Sequence, residues 1–215
     1  FSVPMGGFNP DFHPELAEQE YYIGMGETAE ILAEEGKITR EQQEEFSVES
    51  HTKALKAWDN NQFENEVIAI DVYGESLVER AEGPREPDLD KIKSLSPAFL
   101  ENGTITAATA SPISIGAATL LITSRTFAEN NGLQIRASIK GRSVAGVDWR
   151  RMGIGPLPAT EKVLANTGFT LDQIDAIELN EAFAAQSLYV IQNGRWDISK
   201  AVSYTHLTLP TNDQV

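Results

Sequence analysis

The chain has 215 residues, a formal net charge of −15, 41% hydrophobic residues and no cysteine. This length allows one large domain or two small ones, and the acidic balance argues against a nucleic-acid-binding protein, which needs a basic surface. The lack of cysteine excludes disulfides, thiolate metal sites and a cysteine nucleophile in this chain. There is no apolar run long enough to span a membrane and no recognisable leader, so we expect a cytoplasmic protein with no membrane partner and no metal.

The charge is unevenly distributed along the chain. Residues 11–49 are strongly acidic, with Lys37 and Arg40 as the basic exceptions. Residues 133–162 reverse this balance, because six basic residues there face only Asp148 and Glu161: Arg136, Lys140, Arg142, Arg150, Arg151 and Lys162. Such a patch could attract a phosphorylated ligand. It could equally be a solvated surface, which is the slightly preferred interpretation.

Helices dominate the predicted first half. One helix begins at or just before Thr28 and ends near Gly36, because glycine commonly follows a helix C-terminus. Thr39 and Gln42 form a capping-box pair ahead of a longer helix that continues to about residue 58. An acidic stretch over residues 15–20 is also compatible with a helix.

The long helix carries a candidate buried stripe. Val48, His51, Leu55 and Trp58 recur at spacings of three, four and three, so they share one helix face. The pattern therefore predicts that His51 packs at the edge of a core, and a catalytic role for it is the less favoured alternative.

The second half alternates between extended and helical patterns. In order, we predict an extended segment at 66–73, a short helix near 89–95, a strand at 116–123, a helix at 125–130 capped by Ser124, a strand at 138–147 and a helix from Pro156 or Pro158 to near Gly168. Thr170 and Gln173 form a further capping box. This alternation favours a parallel α/β layer, with the helical first half as an insertion or separate subdomain.

A short apolar run at 176–179 predicts a buried strand, and Asn180 follows it at the expected N-cap of the next helix. Glu181 would then lie in the first turn, near the positive end of the helix dipole. Open α/β folds bind ligands at such strand-to-helix turns. Local pattern alone still favours the simpler alternative, in which Asn180 only caps its helix.

Several motifs resemble those of thiolases and occur in the same order along the chain as in that family. Thiolases are the enzymes that make and cleave 3-oxoacyl-CoA thioesters. The motifs are Met25-Gly26-Glu27-Thr28-Ala29-Glu30, Ser50-His51-Thr52-Lys53-Ala54, the segment 103–116, Met152-Gly153-Ile154-Gly155-Pro156 and Asn180-Glu181-Ala182-Phe183-Ala184. The resemblance extends over nearly all of residues 2–200. It implies a thiolase-like α/β fold in which two similar halves pack together beneath a helical loop domain.

The resemblance also implies that the chain is an internal fragment of a whole enzyme, as does its first residue, Phe1. We expect part of the loop domain at 1–102, the end of the N-terminal core at 103–132 and the start of the C-terminal core at 133–201. Residues 202–215 resemble a translated sequencing adaptor, and we expect them to be a non-native tail.

Thiolases cleave 3-oxoacyl-CoA with two cysteines, and the resulting enolate is stabilised by a histidine and by a water held by the motif asparagine. The resemblance gives Asn180 this catalytic role, with coenzyme A and acyl-CoA as substrates and no covalently bound cofactor. Six further residues match positions that bind CoA or line its tunnel: Ser111, Ala110, Met25, Met152, Phe183 and Arg85. Whole enzymes of the family are homodimers or homotetramers.

This sequence departs from the family pattern in three places. Ile115 replaces an aspartate, Thr109 replaces the asparagine of the usual Thr-Ala-Gly-Asn, and both cysteines and the Gly-His-Pro histidine lie outside the chain. We therefore expect an acyltransferase of fatty-acid β-oxidation whose isolated fragment is inactive. The alternative hypotheses are a non-catalytic thiolase-like protein that binds acyl-CoA or lipid and, less favoured, an acidic helical interaction module.

Overall fold

A computed structural model describes residues 11–74, 76–112 and 114–200. The expected adaptor-derived tail at 202–215 lies outside these residues. The helices are α1 (Pro14–Glu18), α2 (Met25–Gly36), α3 (Arg40–Asp59), α4 (Leu89–Ser94), α5 (Arg125–Asn130), α6 (Pro156–Thr167) and α7 (Ala184–Gly194), with 3₁₀ helices at Trp149–Ile154 and Leu171–Gln173. The helix predictions near these positions are confirmed. Within the described part of the chain, no helix is both long enough and apolar enough to span a bilayer.

Local capping explains where α2 and α3 begin. The backbone N–H of Gly24 donates to Glu27 Oε2 at 2.7 Å, which closes the start of α2. At the start of α3, Thr39 Oγ1 accepts from the N–H of Gln42 while the Gln42 side chain accepts from the N–H of Thr39, as the capping-box prediction required. Lys37, in the left-handed conformation with φ of 52°, separates the two helices. The chain therefore leaves α2 and enters α3 within a few residues.

Helix α7 lies at the centre of the packing. Its first two residues, Ala184 and Ala185, are fully buried, and Val190 further along is also fully buried. Ala185 packs with residues of α2, while Val190 packs in a second cluster with Leu179. Small side chains at the start of α7 let neighbouring segments approach it closely, which is why most of this helix is buried.

The buried face of α3 differs from the predicted stripe. The most buried residues of the helix are mainly small or polar: Gln43, Glu44, Ser47, Ser50, Ala54 and Ala57. Val48, His51, Leu55 and Trp58 are only partly buried and flank this face. The predicted stripe was therefore wrong in phase, because close contact with α7 favours small side chains over the largest apolar ones.

The capping prediction for Asn180 is also wrong. Helix α7 begins at Ala184, with Phe183 as its N-cap, so Asn180 lies on the non-helical segment before the helix. Glu181 is likewise outside the first turn and is 2% exposed. The backbone around Phe183 is instead held by pairing with a distant segment, which delays the start of the helix.

Regular pairing of strands is limited in the described residues. The strands β1 (Ile70–Val72) and β2 (Ser76–Val78) form an antiparallel hairpin. Strand β1 lies within the extended segment predicted at 66–73, and β2 follows it. The predicted strands at 116–123 and 138–147 have no ladder hydrogen bonds, and Leu120 and Ile139 are 84% and 74% exposed. A strand needs a neighbour for its backbone N–H and C=O groups, so these segments do not form a sheet here. In the segment 176–179, the Ile177 N–H donates to the Lys200 carbonyl at 2.8 Å.

Candidate functional site

Two segments more than 70 residues apart are paired at the site. The N–H of Ser111 donates to the Ala182 carbonyl at 2.9 Å, and the N–H of Ala184 donates to the Thr109 carbonyl at 3.0 Å. Between these bonds Ala110 and Phe183 form an antiparallel bridge. The serine turn therefore lies directly beside the segment that carries Asn180.

Asn180 lines a cleft of about 340 Å³ between α2, the first 3₁₀ helix and the segment before α7. Met25, Met152 and Phe183 line the same cleft, so the structure brings together four of the predicted site residues. Met25 and Met152 are 48% and 40% exposed, whereas Asn180 is partly buried. The cleft thus combines flexible apolar walls with polar side chains, among them the carboxamides of Asn180 and Gln186, a composition that suits an acyl or alkyl chain with a polar end.

The carboxamide is suited to a site where charge develops. Asparagine carries two N–H donors and one acceptor, and it does not titrate. In a cleft with partly apolar walls, a fixed donor stabilises a negative oxygen more strongly than in water. The geometry around Asn180 therefore allows it to hold a polar ligand or water directly.

Ser111 and Ala110 do not line the cleft but pair with the segment that carries Phe183, which does line it. Ala110 packs against the buried cluster of Ala29, Ala33 and Ala185, which explains the need for a small side chain there. The Ser111 Oγ is buried and has no hydrogen-bond partner in the described portion of the chain. A buried hydroxyl without a hydrogen bond lowers the stability of the fold unless a ligand or a water bonds to it.

Arg85 does not join this group. Its backbone N–H donates to His51 Nδ1 at 3.3 Å, and it is absent from the lining of the cleft. Burial, and secondarily the charge of Arg85, lower the pKa of His51 below its ordinary value. His51 thus packs as a neutral acceptor, in agreement with the packing role predicted from the sequence.

The basic stretch at 133–162 is partly neutralised by acidic residues elsewhere. Arg151 pairs with Glu35 at 2.6 Å and Arg150 with Glu20 at 3.1 Å. These pairs reduce the charge available to a phosphorylated ligand, which favours the interpretation of this stretch as a solvated surface.

Sequence reasoning missed the packing role of Gly153. A Cβ at this position would lie 2.7 Å from Gln186 Cγ and 2.8 Å from Leu32 Cδ1, so only glycine lets the first 3₁₀ helix approach α2 and α7. Gln186 Nε2 also donates to the Gly153 carbonyl at 3.3 Å. This close approach places Met152 in the cleft wall. The two glycines of Met152-Gly153-Ile154-Gly155 were the sequence signal that could have predicted this close approach.

The described residues contain no group of three or more His, Cys, Asp or Glu side chains that could hold a metal ion.

Comparisons with known proteins show which family the chain resembles. The family model described as "Thiolase, N-terminal domain" matches residues 10–126, and "Thiolase, C-terminal domain" matches residues 133–204. The 3-ketoacyl-CoA thiolase of Pseudoalteromonas translucida (strain TAC 125) is 44% identical over 199 residues, which cover 89% of this chain and 51% of that protein. The chain thus spans about half the length of the curated relatives it matches.

Two solved structures are similar as well. Human mitochondrial 3-ketoacyl-CoA thiolase in complex with CoA superposes with a TM-score of 0.81 at 35% identity, covering 85% of this chain and 46% of that one. The dimeric peroxisomal thiolase of Saccharomyces cerevisiae gives a TM-score of 0.79 at 37% identity, covering 89% and 50%. These matches confirm the expected α/β fold as a partial thiolase fold. Because the N-terminal family model alone covers more than half of its residues, and relatives agree in both sequence and structure, this chain belongs to the thiolase family.

Proposed function

We propose that this chain is part of an acyltransferase that cleaves 3-oxoacyl-CoA by thiolysis in fatty-acid β-oxidation. The observation that carries the proposal is the position of Asn180, in a cleft with Met25 and Met152 and beside the turn of Ser111. The names of the similar proteins support the same reaction class.

In the proposed reaction, carbon–carbon cleavage leaves an enolate whose oxygen needs fixed hydrogen-bond donors. Asn180 would supply such a donor through a water that its carboxamide holds. The covalent step needs a thiolate to take up the acyl group, and this chain has no cysteine. We therefore expect the chain by itself to bind substrate without turning it over.

The remaining site residues are proposed to bind rather than react. Met25, Met152 and Phe183 would contact the acyl chain or pantetheine arm, and the turn of Ala110 and Ser111 would lie along that arm. The unpartnered Ser111 hydroxyl supports a polar contact there. Arg85 is proposed to contact the nucleotide phosphates, outside the cleft, whose lining does not include it.

The organisation of the whole protein is proposed on the same basis. The family models meet between residues 126 and 133, which supports a division into the end of an N-terminal core at 103–132 and the start of a C-terminal core at 133–201, with loop-domain residues before them. A cytoplasmic homodimer or homotetramer is proposed for the whole protein. The dimeric yeast relative supports self-association.

Titration of the chain with acetoacetyl-CoA tests the binding role of the cleft. We expect saturable binding that Asn180→Ala weakens, measured by calorimetry and by the side-chain amide signal of Asn180. Asn166→Ala is the matched control, because Asn166 is an exposed asparagine on α6 away from the cleft. Equal affinities in the two variants would contradict the assignment of Asn180, and measurable thiolysis above background would contradict the expected inactivity.

The coding sequence on either side of this chain separates the acyltransferase from a non-catalytic acyl-CoA-binding relative. The acyltransferase requires a cysteine upstream, and a Gly-His-Pro histidine and second cysteine downstream. Replacement of these residues by other types would favour the binding protein.

A further inference from the structure

Glu181, the residue directly after Asn180, carries one of the most deeply buried carboxylates in the described chain. It is 2% exposed, and its Oε2 accepts a hydrogen bond from Ser50 Oγ at 2.7 Å. Ser50 lies on α3, is 3% exposed and is 131 residues away in sequence. A buried hydrogen bond between two distant segments restrains both of them.

Asn180 and Glu181 project to opposite sides of their backbone segment. Asn180 lines the cleft beside α2 and the first 3₁₀ helix, whereas Glu181 lines a separate crevice with Ser50 and Ser187 on the α3 side. Neighbouring side chains of a non-helical segment commonly alternate in this way. A restraint on the Cα–Cβ direction of one residue therefore also restrains that of the other through the backbone they share.

The backbone around these two residues is held on both flanks. Before them, Leu179 packs in the cluster that contains Val190 and Trp196. After them, the Ala182 carbonyl accepts from the Ser111 N–H. These contacts fix the path of the segment, and the Ser50–Glu181 bond adds a side-chain restraint between the two flanks.

We propose that Glu181 is a positioning residue, whose bond to Ser50 sets the direction in which the Asn180 carboxamide enters the cleft. The proposal deepens the proposed function and rests on it for the role of Asn180. It makes α3, a helix that does not line the cleft, a determinant of the geometry of the site. A merely stabilising Glu181 would change the unfolding free energy without moving the Asn180 side chain in the folded protein.

The side-chain amide signals of Asn180 distinguish these two roles. They are measured by ¹H–¹⁵N NMR on the full chain and assigned by their loss in Asn180→Asp. We expect Ser50→Ala to shift or broaden them. Ser47→Ala is the matched control, because Ser47 is buried one turn earlier on the same helix and its Oγ donates to the Gln43 carbonyl of that helix. This control should leave the Asn180 signals in place.

Substitutions at Glu181 provide the second measurement. Glu181→Gln keeps an oxygen that can accept from Ser50, so we expect the Asn180 signals to stay near those of the unaltered chain, whereas Glu181→Ala should displace them. Unchanged Asn180 signals in folded Ser50→Ala would overturn the proposal. The signals are read without CoA, so failure of the proposed function would appear separately, as an absence of binding in the acetoacetyl-CoA titration.

Discussion

The Glu30 carboxylate joins α2 to Thr104 on a segment 74 residues away. It accepts from the Thr104 backbone N–H at 2.9 Å, from Thr104 Oγ1 at 2.9 Å and from the Ile105 N–H at 2.9 Å. Glu30 is 7% exposed and Ile105 is fully buried. This side chain therefore replaces the backbone partners that a neighbouring strand would otherwise supply, and it holds the segment leading to the serine turn of the site.

We expect Glu30→Ala to destabilise the chain by about 2–4 kcal/mol, because it leaves the buried N–H of Ile105 and the partly buried N–H of Thr104 without an acceptor. The measurement is the free energy of unfolding in urea. Glu34→Ala, an exposed substitution one turn further along α2, should change it by less than about 0.5 kcal/mol. Similar losses in both variants would contradict the role assigned to Glu30.

Gly26 lies on α2, where a glycine-to-alanine change would ordinarily stabilise the helix by about 1 kcal/mol. Here a Cβ would overlap the ring of Phe99, which contacts Phe183 edge-on with ring centroids 5.6 Å apart. We therefore expect Gly26→Ala to lower the melting temperature and to disturb the cleft wall at Phe183.

Gly146→Ala is the control for this substitution, because no atom lies within 4 Å of a Cβ at that position. It should leave the melting temperature unchanged or raise it slightly. A higher melting temperature for Gly26→Ala would show that Phe99 moves aside at little cost.

The sequence predicted helices well because their signals are local. The capping box at Thr39 and Gln42 fixes the start of α3 without help from distant residues. The start of α7 could not be predicted in this way, because pairing of Ala110 with Phe183 holds the chain out of the helix until Ala184. Tertiary pairing there overrides the local preference for Asn180 as a cap.

The site residues were predicted in part from motif resemblance and not from local signals of secondary structure. The motifs assigned Asn180, Met25 and Met152 to one site, and the structure places all three in one cleft. It did not reveal the contact of Glu181 with Ser50, because two polar residues 131 positions apart leave no periodic signal in a single sequence. Contacts of this kind require the fold.

The stability of the chain should fall in mild acid because of His51. Burial, followed by the charge of Arg85, holds the pKa of this imidazole below its usual value of 6.5. At pH values between the folded and unfolded pKa, the unfolded state binds more protons, so the unfolding free energy decreases as the pH falls from about 6.5 through the folded pKa. Protonation of Nδ1 would also break its bond from the Arg85 N–H.

Urea unfolding of the unaltered chain and of His51→Gln at several pH values between about 7.5 and 5 measures this effect. The stability difference between the two proteins should change across this range in favour of the variant as the pH falls. A constant difference, or an NMR titration of His51 with a midpoint above that of a free imidazole, would contradict the assignment.

Arg151 links the first 3₁₀ helix to α2 and α7 through hydrogen bonds. Its Nε and Nη2 donate to Glu35 Oε2 at 2.9 and 2.6 Å, and Nη2 donates to Tyr189 Oη at 3.1 Å. The bond to Glu35 raises the pKa of Arg151 above its ordinary value. The Arg151 and Glu35 side chains are 36% and 37% exposed, so solvent screens the pair and its contribution should be at most about 1 kcal/mol.

We expect Arg151→Ala to lower the melting temperature at low ionic strength, with a smaller difference from the unaltered chain at about 1 M salt, where screening is nearly complete. Arg142→Ala, at an exposed arginine with no ion pair in the described structure, should show little effect under either condition. Since Met152 follows Arg151 and lines the cleft, Arg151→Ala should also shift the Met152 methyl signal in NMR spectra. A salt-independent loss of stability would instead indicate that the packing of the arginine side chain, and not its charge, holds the 3₁₀ helix in place.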